Sequence, residues 1–298
     1  MAQFADRLIQ HIRTKDSRAI VGLDPRIDQM PAFLGGKPAC DAITEFHELI
    51  LDAVADLVPA VKPQLAFYEQ YGVAGMQAFE RTVRAAKQRG LLVIADGKRN
   101  DVSSTAEAYA NAYLGPHGFD CDALTATPYL GRDSLLPFVE ACKKNGKGLF
   151  VVLKTSNPGS KDFEDQPLFS TGRPLYEKIA GVLNELGDDL VGESGYSSVG
   201  AVIGATFPEE GRRLRTLMPK ALILVPGYGV QGGSAKAAAE CFNDDGLGAI
   251  VSSSRGITYG FKDHSISRDA FVRSVRENTR RMVDEVNAAV MTSANLSD

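Results

Sequence analysis

Short apolar runs alternate along the chain with segments whose apolar residues recur at helical spacing. The runs are rich in valine, isoleucine and leucine and end at polar or glycine residues, which is typical of strands buried in a parallel sheet. They cover residues 19–23, 59–61, 91–95, 123–127, 148–153, 199–205, 221–225 and 248–252. Eight strand–helix units in one chain predict an α/β protein with a (β/α)8 TIM barrel.

The helical segments complete this alternation. They are predicted at 4–13, 42–57, 132–145, 173–187, 234–242 and 268–290. Three more are predicted: one that ends at about 89, one that begins at 104 and one that ends at about 217. The first is a short lead-in helix, and a polar insertion near 157–172 follows the fifth strand, so residues 1–298 are predicted to form one barrel domain. A doubly wound open sheet is the alternative, but no GxGxxG follows the first strand.

Composition narrows the class of protein. The 298 residues are 44% hydrophobic and 23% charged, with a formal net charge of −4, which is ordinary for a globular protein with a large core. No long run of one charge favours a nucleic acid or an anionic membrane as partner. No apolar run has membrane-spanning length, and the N-terminus lacks a signal-peptide pattern. The cysteines are scattered without a CxxC, so we expect a reducing compartment, the cytoplasm.

Ionisable residues crowd the end of the third strand. The apolar run 91–95 stops, and Asp96, Lys98, Arg99 and Asp101 follow within six residues. Such groups are costly to dehydrate unless they pair with one another or with a ligand. Barrels place their chemistry at the carboxyl ends of their strands, so this cluster predicts a functional site rather than a solvated loop.

Other strand ends carry polar groups as well. Asp24 follows the first strand and Lys62 the second, and the fifth is followed by Lys154 and Ser156. A glycine-rich loop, 227–233, follows the seventh strand, and Arg255 follows the eighth. These last two loops are where barrels commonly hold phosphate, through backbone N–H groups and a positive charge.

The chain resembles the orotidine 5′-monophosphate decarboxylase family. Asp96, Lys98 and Asp101 match the family's DxKxxD signature, and Thr105 follows it. Asp24, Lys62, Pro226–Gly227 and the Ser-Arg-Gly at 254–256 also match, in the same order along the barrel. The segment 154–158 and the polar insertion after it are similar to the longer-chain group of the family.

The resemblance implies decarboxylation of orotidine 5′-monophosphate to UMP, without metal or cofactor. Lys98, Asp96, Lys62 and Asp101 would form an alternating charged array around C6 of the pyrimidine. Lys98 would stabilise the carbanion and then protonate it.

The resemblance also implies a homodimer with shared active sites. Asp101 and Thr105 would enter the site of the other subunit, Asp24 would bind the ribose hydroxyls, and Ser156 would contact the pyrimidine. The phosphate would be held by residues of the last two loops: Pro226, Gln231, Arg255 and Gly256. The compact seventh loop leaves Tyr228 as a competitor of Gln231.

Three other functions remain open. DxKxxD is shared with metal-dependent barrels that act on sugar phosphates, although a cation at Lys62 would oppose a divalent metal. A non-catalytic nucleotide-binding barrel is a second alternative, which the intact Asp/Lys/Asp pattern disfavours. Lys154 also ends a strand and would suit Schiff-base chemistry.

Overall fold

The computed structural model describes residues 2–229 and 232–294, and this part of the chain contains a closed barrel of eight parallel strands in sequential order. The barrel closes where the last strand pairs with the first, with Ala19 opposite Val251. The strands are β1 (Ala19–Leu23), β2 (Ala60–Pro63), β3 (Leu92–Arg99), β4 (Ala123–Ala126), β5 (Gly148–Lys154), β6 (Ser197–Ile203), β7 (Ala221–Val225) and β8 (Ala249–Ser253). The predicted TIM barrel is confirmed.

Helices connect the strands and surround the barrel. They are α1 (Phe4–Lys15), α2 (Ala39–Val54), α3 (Leu65–Glu69), α4 (Gly72–Gln88), α5 (Ser103–Leu114), α6 (Arg132–Asn145), α7 (Leu175–Gly187), α8 (Pro208–Leu217), α9 (Ala235–Ala239), α10 (Arg255–Thr258) and α11 (Arg268–Ala294). None of the described helices has the length and apolar character that a membrane span requires.

Two layers of apolar side chains alternate along the strands, as the pleat demands. In β1, Ile20 faces the barrel interior, whereas Val21 packs in the layer between the strands and the outer helices. The lead-in helix α1 belongs to the inner cluster: Phe4 meets Phe150 edge to face, with ring centroids 5.9 Å apart. Helix α1 therefore closes the amino-terminal end of the barrel, and the opposite end remains available for a site.

Some boundaries differ from the sequence-based expectation. The helix predicted to run to about 89 is split into α3 and α4, with Gly72 in the left-handed region at φ +59°. Strand β3 continues to Arg99, past the predicted end at 95, and β6 begins at Ser197. The extension of β3 matters most, because it carries the charged motif within the barrel wall.

The insertion after β5 has its own local structure. It opens with a 3-10 turn, Pro158–Asp162, and Pro167 forms an antiparallel bridge with Pro174 just before α7. Glu164 within it accepts hydrogen bonds from Thr155, so the insertion returns beside the carboxyl end of β5.

Candidate active site

A cavity of about 310 Å³ opens at the carboxyl ends of the strands. Its volume lies at the lower end of the range typical of small-molecule sites. Most of the residues predicted from the sequence line it: Asp24, Lys62, Asp96, Lys98, Ser156, Pro226, Arg255 and Gly256. The fold thus gathers strand ends that are far apart in sequence into one site.

Asp96 is the centre of the charged cluster. Its Oδ2 accepts a hydrogen bond from Lys62 Nζ at 2.6 Å, and its Oδ1 accepts one from Lys98 Nζ at 2.7 Å. Asp96 and Lys62 are both buried, whereas the Lys98 side chain is 44% exposed. The carboxylate is therefore held between two ammonium groups, one inside the barrel and one at its mouth.

Two uncharged residues complete the shell around Asp96. Gln64 Nε2 donates to Oδ2 at 3.0 Å, and the Thr125 hydroxyl donates to Oδ1 at 2.9 Å. Sequence reasoning missed both, because neither residue carries a charge. The available signals were the position of Gln64 just past the second strand and a hydroxyl within the apolar run 123–127.

The ionisation of this cluster follows from its pairing. Burial opposes the charged form of Asp96, but Lys62 and Lys98 outweigh it and lower the pKa of the carboxyl far below its usual range. Burial likewise opposes the charge of Lys62, yet Asp96 and Asp24 raise its pKa. Asp96 is therefore anionic and Lys62 cationic at neutral pH.

The backbone at Lys98 is bent to bring its side chain to Asp96. Lys98 has φ +46°, in the left-handed region, and the pairing of β3 with β4 shifts register between Ala95 and Arg99. A residue other than glycine in this conformation stores roughly 1–3 kcal/mol of strain. The Lys98 N–H donates to Thr125 Oγ1 at 2.9 Å, which stabilises the bend. Strain of this kind is concentrated at functional sites.

Little space is left for a side chain at the centre of the motif. A Cβ on Gly97 would lie 2.4 Å from Leu65 Cδ1, well inside van der Waals contact. The absence of a side chain here lets β3 approach α3 closely while Asp96 and Lys98, two positions apart, point to the same face.

Asp24 offers a free acceptor to a ligand. Its Oδ1 is buried and has no hydrogen-bond partner among the described residues, and its side chain lines the cavity. Buried polar atoms are normally satisfied, so this carboxylate oxygen at a cavity wall can accept a hydrogen bond from a water or from a ligand donor such as a hydroxyl. The buried Ser254 hydroxyl also has no hydrogen-bond partner among the described residues. Ser254 matches the family in sequence, but no role was predicted for it.

A positive charge, the Arg255 guanidinium, lines the cavity beside the loops that follow β7 and β8. The Arg255 guanidinium makes no hydrogen bond or ion pair with the described part of the chain, and Arg255 and Gly256 open α10. The first turn of a helix leaves backbone N–H groups without intrahelical partners. Gln231 lies outside the described residues. The Tyr228 hydroxyl donates to Glu285, so the phenol is already engaged.

Lys154 is not part of the cavity wall. It is fully buried, its Nζ is paired with Asp165, and it lies over the Phe207 ring at 4.7 Å. Its amine is therefore withdrawn from any substrate in the cavity, and Schiff-base chemistry at this residue is disfavoured. Ser156, two residues further on, does line the cavity.

Asp101 and Thr105 do not reach the cavity of their own chain. Asp101 Oδ1 accepts the N–H of Val102 at 2.8 Å, and Thr105 is exposed on α5. Nearby, Val102 is 47% and Tyr109 36% exposed. The two motif residues thus lie on an outer surface that also presents apolar side chains.

Comparison with known proteins gives a consistent picture. The family model for the orotidine 5′-phosphate decarboxylase / HUMPS family matches residues 17–263. A relative named orotidine 5′-phosphate decarboxylase from Rhodopirellula baltica is 44% identical, with 98% of this chain and 97% of the relative covered. One of the same name from Caldicellulosiruptor saccharolyticus is 40% identical, with 97% and 100% covered. The structure of Leishmania donovani OMP decarboxylase is 31% identical at a TM-score of 0.77, covering 97% of this chain and 98% of that one.

Proposed function

The chain belongs to the orotidine 5′-phosphate decarboxylase / HUMPS family and is a carboxy-lyase, and we propose that it converts orotidine 5′-monophosphate to UMP with Lys98 as the reacting ammonium group. The observation that supports this role best is the placement of Asp96 between Lys62 and Lys98 at the mouth of the barrel. Formation of UMP and CO₂ in equal amounts from the nucleotide tests the assignment of the substrate.

The reaction needs positive charge beside C6. The bond between C6 and the carboxylate breaks, CO₂ leaves, and the electron pair remains at C6 in an orbital that the ring cannot delocalise. A fixed ammonium group at Lys98 Nζ stabilises that pair as it forms and then transfers a proton to C6. Because the Lys98 side chain is 44% exposed, water can return a proton to the amine after each turnover.

Asp96 contributes a negative charge on the other side of the leaving group. Its lowered pKa keeps it anionic, so the bound substrate carboxylate faces a second carboxylate. Loss of CO₂ removes this repulsion, whereas the attraction of C6 for Lys98 grows. Lys62, buried behind Asp96, holds that carboxylate in place at 2.6 Å.

The remaining wall of the cavity would bind the rest of the nucleotide. Asp24, with its orphaned Oδ1, suits the ribose hydroxyls, and Ser156 suits the polar edge of the pyrimidine. Arg255, Gly256 and Pro226 would surround the phosphate, with Gln231 as a further proposed ligand. Binding energy from the remote phosphate then holds the reactive end beside Lys98.

We also propose a homodimer in which each subunit completes the other's site. Asp101 and Thr105 lie outside their own cavity, on a surface where Val102 and Tyr109 are exposed. A two-fold interface across this surface would carry each Asp101 into the neighbouring site, since both subunits use the same patch.

The metal-dependent alternative fits the site less well. Both oxygens of Asp96 already accept hydrogen bonds from lysine ammonium groups. A divalent cation at this carboxylate would have to displace Lys62 or Lys98 and would then sit beside the displaced charge. The arrangement therefore favours a mechanism in which lysine provides the positive charge.

Phosphate recognition is expected to depend on Arg255. In Arg255→Ala, Kd for UMP should rise about 30- to 150-fold, because a charge-assisted contact contributes roughly 2–3 kcal/mol. Binding of uridine, which lacks the phosphate, should barely change. Calorimetry with both ligands checks this, and Arg273→Ala, an exposed arginine on α11, is the matched control. Equal losses for UMP and uridine would show that Arg255 acts elsewhere.

A further inference from the structure

The insertion after β5 folds back and contacts Thr155, the first residue after that strand. Thr155 donates its backbone N–H to Glu164 Oε2 at 2.9 Å. Its hydroxyl lies between two acceptors, Glu164 Oε1 at 2.7 Å and Asn157 Oδ1 at 2.6 Å. One carboxylate therefore reaches both polar donors of a single residue and shares the hydroxyl proton with Asn157. Thr155 is followed by Ser156 and Asn157, and all three line the cavity.

A buried cation, the Lys154 ammonium group, lies beside the Glu164 carboxylate. Lys154 Nζ pairs with Asp165 and lies 3.7 Å from Glu164 Oε2, and it is enclosed by the rings of Phe207 and Tyr176. A fully buried ammonium group is stable only when it is paired, so the insertion must keep its acidic residues here. The Tyr176 N–H also donates to the Glu164 carbonyl at 3.2 Å, which fixes the backbone of that residue.

Ser156 is confined from its other side by β6. A Cβ on Gly204 would lie 3.0 Å from both the Cβ and the N of Ser156, so these segments are already in close contact. The Gly204 N–H donates to the Lys154 carbonyl at 2.8 Å. Ser156 is thus held between the end of β6 and a residue that Glu164 fixes through two hydrogen bonds.

We infer that Glu164 is a positioning residue that acts through Thr155 to hold Ser156 against the pyrimidine of the substrate. This inference rests on the proposed function, which assigns the pyrimidine contact to Ser156. The insertion then serves base recognition without touching the nucleotide, and Asp165 serves it indirectly by pairing with Lys154.

Replacing Glu164 with glutamine should weaken recognition of the pyrimidine base and leave recognition of the ribose phosphate unchanged. A glutamine can still accept one of the two bonds from Thr155, but its NH₂ group cannot accept the other, and the side chain loses its charge. Two bonds to a carboxylate are thus reduced to one neutral bond, and the Thr155 hydroxyl is left to Asn157 Oδ1. Kd for UMP should rise about tenfold, while Kd for ribose 5-phosphate, which lacks the base, should stay unchanged. Asp162→Asn, an exposed carboxylate of the same insertion, is the matched control and should leave both constants unchanged.

A double variant separates positioning from a general loss of structure. Ser156→Ala removes the proposed contact with the pyrimidine. Adding Glu164→Gln to this variant should then weaken UMP binding by less than twofold, because the effects of substitutions at coupled residues are not additive. If Glu164→Gln is poorly folded, Thr155→Val and Thr155→Ser provide the same comparison. The serine variant keeps the hydroxyl and should bind both ligands with wild-type affinity. The valine variant should bind UMP several-fold more weakly and ribose 5-phosphate with unchanged affinity.

The outcomes are distinct. Equal losses for UMP and ribose 5-phosphate, additive losses with Ser156→Ala, or an effect of Glu164→Gln no larger than that of Asp162→Asn would each overturn the inference. Failure of the proposed function appears elsewhere, in the unsubstituted protein, which would then leave orotidine 5′-monophosphate unchanged.

Discussion

Lys98→Ala should bind the nucleotide and yet lose about 10⁴-fold or more in kcat. The substitution removes the ammonium group that stabilises charge at C6 and the proton that ends the reaction. General acid catalysis alone contributes roughly 10²–10⁴-fold, and removal of one electrostatic stabiliser costs about 10²–10³-fold. Because one group performs both roles, the losses combine. Single-turnover kinetics with the purified variant measures the effect.

The fold should survive this change. The Lys98 side chain is 44% exposed, and its removal leaves Asp96 paired with Lys62, Gln64 and Thr125. Lys178→Ala, an exposed lysine on α7, controls for loss of a surface charge and should keep full activity. A folded Lys98→Ala protein that retains most of its turnover would contradict the assignment of Lys98.

Mixing two inactive proteins, Lys98→Ala and Asp101→Ala, should restore activity once subunits exchange. If Asp101 completes the neighbour's site, a mixed dimer has one site with both lesions and one with neither. Random exchange of equal amounts makes half of the dimers mixed, so about a quarter of all sites should be intact. The expected gain is large because each parent protein is nearly inactive.

A second mixture is the control for complementation. Lys62 and Lys98 contact the same Asp96 within one chain, at 2.6 and 2.7 Å. Mixing Lys62→Ala with Lys98→Ala therefore leaves one lesion in every site, and activity should stay at the parental level. Mixtures of Lys98→Ala and Asp101→Ala that also remain inactive, despite subunit exchange proven by mass spectrometry, would rule out shared sites.

The barrel was predictable because its strands are short apolar runs separated by helical patterns. The ends of the strands were less predictable where a strand continues into charged residues. The apolar run of β3 stops at Ala95, yet the strand continues to Arg99, and Asp96 and Lys98, two positions apart on it, pair with each other. A sequence shows that these charges are adjacent, but it does not show that they are paired.

The charged residues of the site were predictable and its neutral ones were not. Lys62, Asp96 and Lys98 stand out at strand ends, whereas Gln64 and Thr125 look like ordinary residues of a loop and a strand. Their role depends on register: Gln64 bridges to Asp96 across adjacent strands, and Thr125 faces inward from β4. Glu164 was equally hidden, since its importance arises from the path by which the insertion returns to β5.

The most direct measurement follows the absorbance of orotidine 5′-monophosphate during incubation with protein that has been exhaustively treated with EDTA. The proposed mechanism draws its positive charge from Lys98 and Lys62, so the absorbance should fall at the same rate with and without the chelator, with UMP as product. Adding Mg²⁺ should not increase the rate. No change in absorbance, or a reaction that EDTA stops and Mg²⁺ restores, would contradict the proposed function.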